Sequence, residues 1–240
     1  LEDLINKLRV QLVDGKKPVI YVAPHGAHCD DVNTALIAEN LAEATNGYAV
    51  INRGWERADE IDYKREKANC NNVEHCHKDV IKEEFLDPLL RFKNKILKKW
   101  ARVAIIYLHG MSNNIQITSG IDDLNYVIGW GNGKPSSHTC QKWIKDFIVY
   151  NLSIGDNCTV GEGKAGGNYA GRSKKNMTQL FRQWYPDSEV DSIQIEIVNK
   201  IRSSKLLAET TAQILAITIE ELLNANGEWD IPDDFKPPKI

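Results

Sequence analysis

His25 and His109 each stand just past an apolar, β-branched run: Pro18-Val-Ile-Tyr-Val-Ala23 before Pro24-His25-Gly26, and Val103-Ala-Ile-Ile-Tyr-Leu108 before His109-Gly110. Such runs predict buried parallel strands. Each would deliver an imidazole to the carboxyl end of a strand, where open α/β sheets place their sites. Asp30 follows His25 in the adjoining loop. Two imidazoles and a carboxylate, with a fourth position left for water, form the ligand set of a catalytic zinc. Asp31 competes with Asp30 for the carboxylate role, and His28 is a third choice.

The elements that must position these groups can be read along the chain. A lead-in helix is expected over Leu1 to Leu12, then the Asp14-Gly15 turn and the first apolar strand. The spacing of Ala35, Ile37, Ala38, Leu41 and Ala42 predicts a helix from Asp31 to Thr45, with Asp30 or Asp31 as N-cap and Asn46-Gly47 closing it. Tyr48 to Ile51 reads as a strand, and Asn52 to Asp79 as a long polar connection of the kind that is functional or disordered. A helix over Val80 to Trp100 leads into the His109 strand. Tyr126 to Trp130 and the alternating Ser192 to Val198 read as strands. Cys140 to Leu152, Met177 to Trp184 and Ser203 to Asn224 read as helices, and the proline-rich tail as a surface strap. Strands alternating with helices indicate a mostly parallel α/β sheet covered on both faces. With no repeat and no dividing linker, residues 1–240 are read as one domain.

Composition narrows the function classes. A hydrophobic fraction of 42% and a charged fraction of 26% are those of a globular protein. The net charge of -3 gives no electrostatic reason to expect nucleic acid as a partner. No apolar stretch is long enough to span a bilayer, so no membrane partner is expected. The five cysteines form no C-x-x-C pair, and the odd count argues against a complete disulfide framework, so reduced thiols in a cytoplasmic setting are expected. No secretory segment opens the chain, although it starts at Leu1, which leaves a removed signal open. The oligomeric state is left open.

Pro24-His25-Gly26, Asp30, Asn52-Arg53, Ile61-Asp62-Tyr-Lys-Arg65, Leu108-His109-Gly110-Met111 and Gln194-Ile195-Glu196-Ile197 follow one another in this order. The order resembles the N-formylglutamate amidohydrolase family and the related zinc-dependent poly-γ-glutamate hydrolases. The resemblance implies a zinc-peptidase-like fold, a three-layer α/β/α sandwich with a mixed, mostly parallel sheet. It implies His25, Asp30 and His109 as zinc ligands and Glu196 as the general acid/base. It implies Arg53 and Arg65, with Arg57 and Lys64, as cations for substrate carboxylates. Arg172 is a further anion-binding candidate. The family's Asp-Leu-Asn-Arg stands here as Asp62-Tyr-Lys-Arg65, so Lys64 replaces an Asn that bears on substrate identity. The implied activity is zinc-dependent hydrolysis of an amide bond in a small acidic N-acyl amino acid or γ-glutamyl substrate. The alternatives are a carboxypeptidase-like enzyme acting on peptide or cell-wall γ-linkages and a non-catalytic binding module on the same fold. Alternation along 192–198 allows Gln194 and Glu196 to face either solvent or a polar cleft.

Other motifs carry less. Cys29 beside His28 lacks any sign of an oxyanion hole. His138 after Ser136-Ser137 lacks a Gly-x-Ser-x-Gly elbow. Gly161-Glu-Gly163-Lys-Ala-Gly166 lacks the strand and helix that a dinucleotide fingerprint needs. His75 and His77 are read as surface residues of the polar loop.

Overall fold

The computed structural model describes residues 9–27, 30–113, 124–129, 159–163 and 169–224. The expectations for His28, Cys29, His138, the helix at 140–152 and the tail lie outside the described residues. Seven strands form one mixed sheet: β1 (Val10–Val13), β2 (Val19–Ala23), β3 (Tyr48–Asn52), β4 (Val103–Met111), β5 (Tyr126–Gly129), β6 (Val160–Glu162) and β7 (Val190–Val198). Their order is β1-β3-β2-β4-β7-β5-β6. The central β3-β2-β4-β7 block is parallel, β1 runs antiparallel to β3, and β5 runs antiparallel to β7. The lead-in segment is therefore a strand over its described part, 10–13, where a helix was expected; Val10 and Leu12 satisfy an edge strand once β3 offers a partner.

Three longer helices cover the sheet: α1 (Thr34–Thr45), α2 (Asp87–Leu97) and α3 (Lys205–Asn224). One face buries Tyr21, Ile51, Ile106 and Ile195 under Ile37 and Leu41 of α1 and Leu215 and Ile219 of α3. The other buries Ile20, Val50, Ile105 and Tyr107 under Trp55, Phe85, Leu86, Leu89 and the Met177–Trp184 turns. This is a three-layer α/β/α sandwich.

Local chemistry sets the helix ends. Asn46 takes the left-handed backbone (φ 53) that closes α1, and Gly47 N–H reaches Ala42 O. The helix expected over 80–100 runs without a break from Asp79 to Leu97, and Lys82–Leu86 within it is π-wound before α2 begins. Pro88 supplies no N–H to the carbonyl of Glu84, and the ladder widens there. Neither Asp30 nor Asp31 caps α1 with its side chain: the preceding residue is Asn33 (φ 63), whose amide instead donates to Arg202 O.

β2 is the point where the winding reverses. The chain leaves it over one face through α1 to β3, and returns over the other face through 53–102 to β4 on its opposite side. The crevice between the carboxyl ends of β2 and β4 is therefore the natural site.

Ile106 lies in β4 between α1 and α3 and is fully buried. Ile106→Ala is expected to cost about 2–5 kcal/mol through the cavity it leaves. Ile217→Ala, on the exposed side of α3, is expected to stay within about 0.5 kcal/mol. Urea midpoints at unchanged m check both.

Candidate metal centre

Crossing from β2 to β4 sets the two imidazoles side by side, with ring centroids 5.3 Å apart. Both are buried. Asn52, at the end of β3, fixes the approach on the β2 side: its amide donates to Pro24 O (2.8 Å) and Trp55 O (2.7 Å). The loop after His25 then folds back, with Asp31 N–H donating to His25 O at 3.0 Å.

That turn decides which carboxylate joins the imidazoles. Asp31 Oδ2 lies 3.5 Å from His25 Nδ1 and 3.6 Å from His109 Nδ1, and accepts from Gly110 N–H at 2.8 Å. His25, Asp31 and His109 each bring one ligand atom within 4.8 Å of the others, the only such group among the described residues. Asp30, the carboxylate expected here, is not in it. Its Oδ2 accepts from Arg57 N–H at 2.8 Å, because the turn points successive side chains in different directions.

The donor chemistry fits zinc. Ligands about 2.0–2.1 Å from a tetrahedral ion stand roughly 3.3 Å apart, close to the 3.5 and 3.6 Å that separate Asp31 Oδ2 from the two imidazoles. Burial alone raises the Asp31 carboxyl, yet His109 and His25 beside it hold it well below the usual carboxylate range. Burial pushes the His109 imidazole below its ordinary value; Asp31 pulls it back, while His25 and Arg57 add to the lowering. A neutral imidazole beside an ionised carboxylate is the state that ligates metal. The tautomer of His25 follows from its neighbours. Asn69 Oδ1 accepts from Asn71 N–H (2.9 Å), so the atom facing His25 Nε2 at 3.0 Å is oxygen and Nε2 must donate. In the neutral ring the Nδ1 lone pair is then left for the centre. His109 Nε2 is buried without a hydrogen-bond partner among the described residues.

Glu196 borders this group. It is the register partner of His109 across β4 and β7, and it is buried. Ile193, Ile195 and Ile197 turn into the core under α3, which leaves Gln194 and Glu196 on the opposite face of the sheet, where both are buried rather than exposed to solvent. Gln194 Nε2 donates to Glu196 Oε1 (3.0 Å) and to Tyr169 O (2.8 Å). Burial, then the Asp31 charge, push the Glu196 carboxyl well above its ordinary value, against Arg202 and Arg57.

The expected cations are distributed differently. Arg53 Nη2 binds Glu39 (2.6 Å) and its Nε binds Gln11 (2.7 Å), on the α1 and β1 side. Arg65 is exposed and pairs with Asp62 at 3.6 Å. Arg172 is exposed and follows Gly171, whose backbone sits against Gln194. Arg57 is the loop cation whose charge bears on Asp30, His109 and Glu196. The 52–79 connection is ordered around buried Trp55, Cys70, Val73 and Cys76, and both of these cysteines are free thiols. His75, read as a surface residue, accepts from Asn69 N–H at 3.1 Å and so stands behind the His25 partner. Asn69 and Arg202 carry no motif; only their position in the fold marks them. A cleft of about 460 Å³ opens beside Asp31, lined also by Asp30, Gly110, Asn113, Asn199 and Arg202.

No protein-family model matches this sequence, and no curated protein does. The fold, however, is shared with solved structures. A gene product of Agrobacterium tumefaciens superposes with a TM-score of 0.62 at 13% identity, over 94% of this chain and 98% of that one. N-formylglutamate amidohydrolase from Ralstonia eutropha JMP134 gives 0.60 at 15% identity, over 91% and 99%. A bacteriophage poly-γ-glutamate hydrolase gives 0.53 at 16%, over 95% and 97%. The architecture extends to a metallo-carboxypeptidase from Pseudomonas aeruginosa, at 0.52 and 10% identity, over 90% of this chain and 60% of that one. The fold class is thus zinc-carboxypeptidase-like, and the resemblance drawn from the ordered motifs holds at the level of fold.

In a chelator-competition titration, Asp31→Ala is expected to weaken zinc binding by at least about 100-fold, with Asp30→Asn close to wild type. Asn69→Ala is expected to lie between them, at about 10–100-fold, because it frees the His25 ring without removing a donor. Equal losses for the two aspartate variants would contradict the assignment of the carboxylate.

Proposed function

We propose that this chain is a zinc-dependent hydrolase that cleaves an amide bond in a small acidic substrate, an N-acyl amino acid of the N-formylglutamate kind or a γ-glutamyl compound. The observation that carries this reading is the convergence of His25, Asp31 and His109 on one point with Glu196 beside them. The shared fold with structures of an N-formylglutamate amidohydrolase and a poly-γ-glutamate hydrolase supports the reaction class.

In this reading His25 and His109, through their imidazole nitrogens, and Asp31, through a carboxylate oxygen, hold the ion. Zinc in that position supplies Lewis acidity toward the scissile carbonyl and makes water acidic enough to react near neutrality. Glu196 takes the proton of the attacking water as the carbon–oxygen bond forms. It then gives that proton to the amide nitrogen as the carbon–nitrogen bond breaks, so a carboxylic acid and an amine leave. A carboxylate whose proton affinity is raised by burial is suited to both halves of that transfer at neutral pH. Arg57 at the rim offers a cation to a substrate carboxylate, which would fix the amide over the centre. Gln194, by donating to Oε1, fixes the orientation of the Glu196 carboxyl group.

Exhaustive chelation is expected to abolish hydrolysis of N-formylglutamate or γ-glutamyl peptides, and zinc to restore it; full activity of a metal-free preparation would defeat the reading. Glu196→Gln is expected to retain zinc while kcat falls about 10²–10⁴-fold. Arg57→Ala is expected to raise KM for acidic substrates more than for an N-acyl neutral amino acid, and equal effects on both would remove Arg57 from substrate recognition.

A further inference from the structure

Three pieces of backbone carry the centre, and they are held unequally. His109 and Glu196 sit on paired strands, where ladder hydrogen bonds set their register. Asp31 sits in a loop between β2 and α1 and has no such register. Something must transfer the order of the sheet to that loop.

Arg202, four residues past the end of β7, is 5% exposed. Its Nε donates to Ile197 O (3.0 Å), its Nη1 to Val32 O (2.6 Å) and its Nη2 to Met111 O (3.4 Å). These carbonyls belong to the residue after Glu196, the residue after Asp31 and the second residue after His109. The return contact is made by Asn33, whose Nδ2 donates to Arg202 O at 2.7 Å. The guanidinium lies directly on Gly110: a Cβ at that position would stand 2.3 Å from Nη2 and 2.4 Å from Cζ. Gly110 is also the residue whose N–H holds Asp31 Oδ2. A planar fork with donors along several edges can satisfy three separate carbonyls at once, which a lysine ammonium on a flexible stem cannot do in the same geometry.

We propose that Arg202 is a positioning residue: by joining the carbonyls beside Asp31, His109 and Glu196 over the bare Cα of Gly110, it sets the Asp31 loop against the two strands and so determines metal affinity. The inference rests on the metal reading above. Gly110 is part of the same device, its missing side chain being the space the guanidinium occupies.

The test compares wild type with Arg202→Gln, Gly110→Ala and Arg102→Gln. Arg102 pairs with Asp191 (2.9 and 3.0 Å) at the opposite end of β4 and β7, so its loss perturbs the same strands away from the centre. Zinc affinity is read by chelator competition, ligand geometry by the visible absorption of the Co2+-loaded proteins, and folding by Tm. Arg202→Gln and Gly110→Ala are each expected to lower zinc affinity about 10–100-fold and to change the Co2+ spectrum. Arg102→Gln is expected to lower Tm while both metal readouts stay at wild type. If Arg202→Gln does not fold, Gly110→Ala, which keeps the Arg202 charge and the N–H that holds Asp31 while its Cβ displaces the fork, decides the matter. Zinc affinity within twofold of wild type in the folded Arg202 and Gly110 variants would overturn the inference, as would an equal loss of affinity in Arg102→Gln. A wild-type protein that binds no zinc would instead overturn the metal reading itself, so the two failures are told apart.

Discussion

Asp31 is a largely buried carboxylate within 3.6 Å of two imidazoles, and the surrounding structure is arranged around the cost of keeping it there. An ionised carboxylate removed from water loses several kcal/mol of solvation unless its lone pairs and charge are met. Here Gly110 N–H meets one lone pair, the imidazoles lie on the same oxygen, and the Arg202 cation stands close behind. These partners come from three segments of the chain: the end of β2, β4 and the turn after β7. The position of Asp31 therefore depends on β2 and β4 being neighbours, on α1 leaving β2 over one face, and on β7 bringing Arg202 back across the strand ends.

The winding reversal at β2 provides the opening, and the two covering layers fill it with different kinds of group. The α1 and α3 layer is apolar, and it takes Ile193, Ile195 and Ile197 of β7, which leaves Glu196 on the opposite face of the sheet. The layer formed by 53–102 supplies adjustable polar partners: Asn69 fixes the His25 tautomer, and Arg57 brings a cation to the rim. Paired strands hold His109 and Glu196, whereas His25 and Asp31 lie in the loop after β2 and take their order from polar partners elsewhere in the chain.

How much of this was legible before the fold was seen depends on the range of the interactions. The strands announced themselves through apolar runs, and a histidine at the end of each of two such runs was enough to indicate a shared pocket. The choice between Asp30 and Asp31 was not legible, because adjacent residues of a turn differ only in direction, and a hydrogen bond from Gly110, far along the chain, settles that direction. Arg53 and Arg65 read as the substrate cations and Arg57 as a solvated residue, since a loop without periodicity gives no direction; a tertiary contact with Glu39 engages Arg53 and a local pair with Asp62 engages Arg65. Alternation in β7 could place Glu196 on either face until α3 claimed the isoleucines. The edge strand at Val10–Val13 looked helical because Leu1, Leu4, Ile5, Leu8 and Leu12 recur at helical spacing, and only pairing with β3 selects the strand. Arg202 carries no local signal: its role exists only where three distant carbonyls meet.

The electrostatics of the pocket show why two carboxylates can share it. Asp31 and Glu196 repel, and that repulsion falls unequally. Asp31 has the imidazoles and a backbone donor and stays ionised. Glu196 has one side-chain amide donor and a more complete burial, so its proton affinity rises. One acid is thereby fixed as an anion and the other tuned toward neutrality, by environment rather than by residue type. Arg57 and Arg202 act against the rise at Glu196 from two sides, one at the rim and one beneath the strand ends. A substrate carboxylate paired with Arg57 would neutralise the rim cation and leave the buried one as the main counterweight. Glu196 would then hold a proton more tightly with substrate bound than without, which in the proposed reaction helps the proton taken from water to be kept for the departing amine.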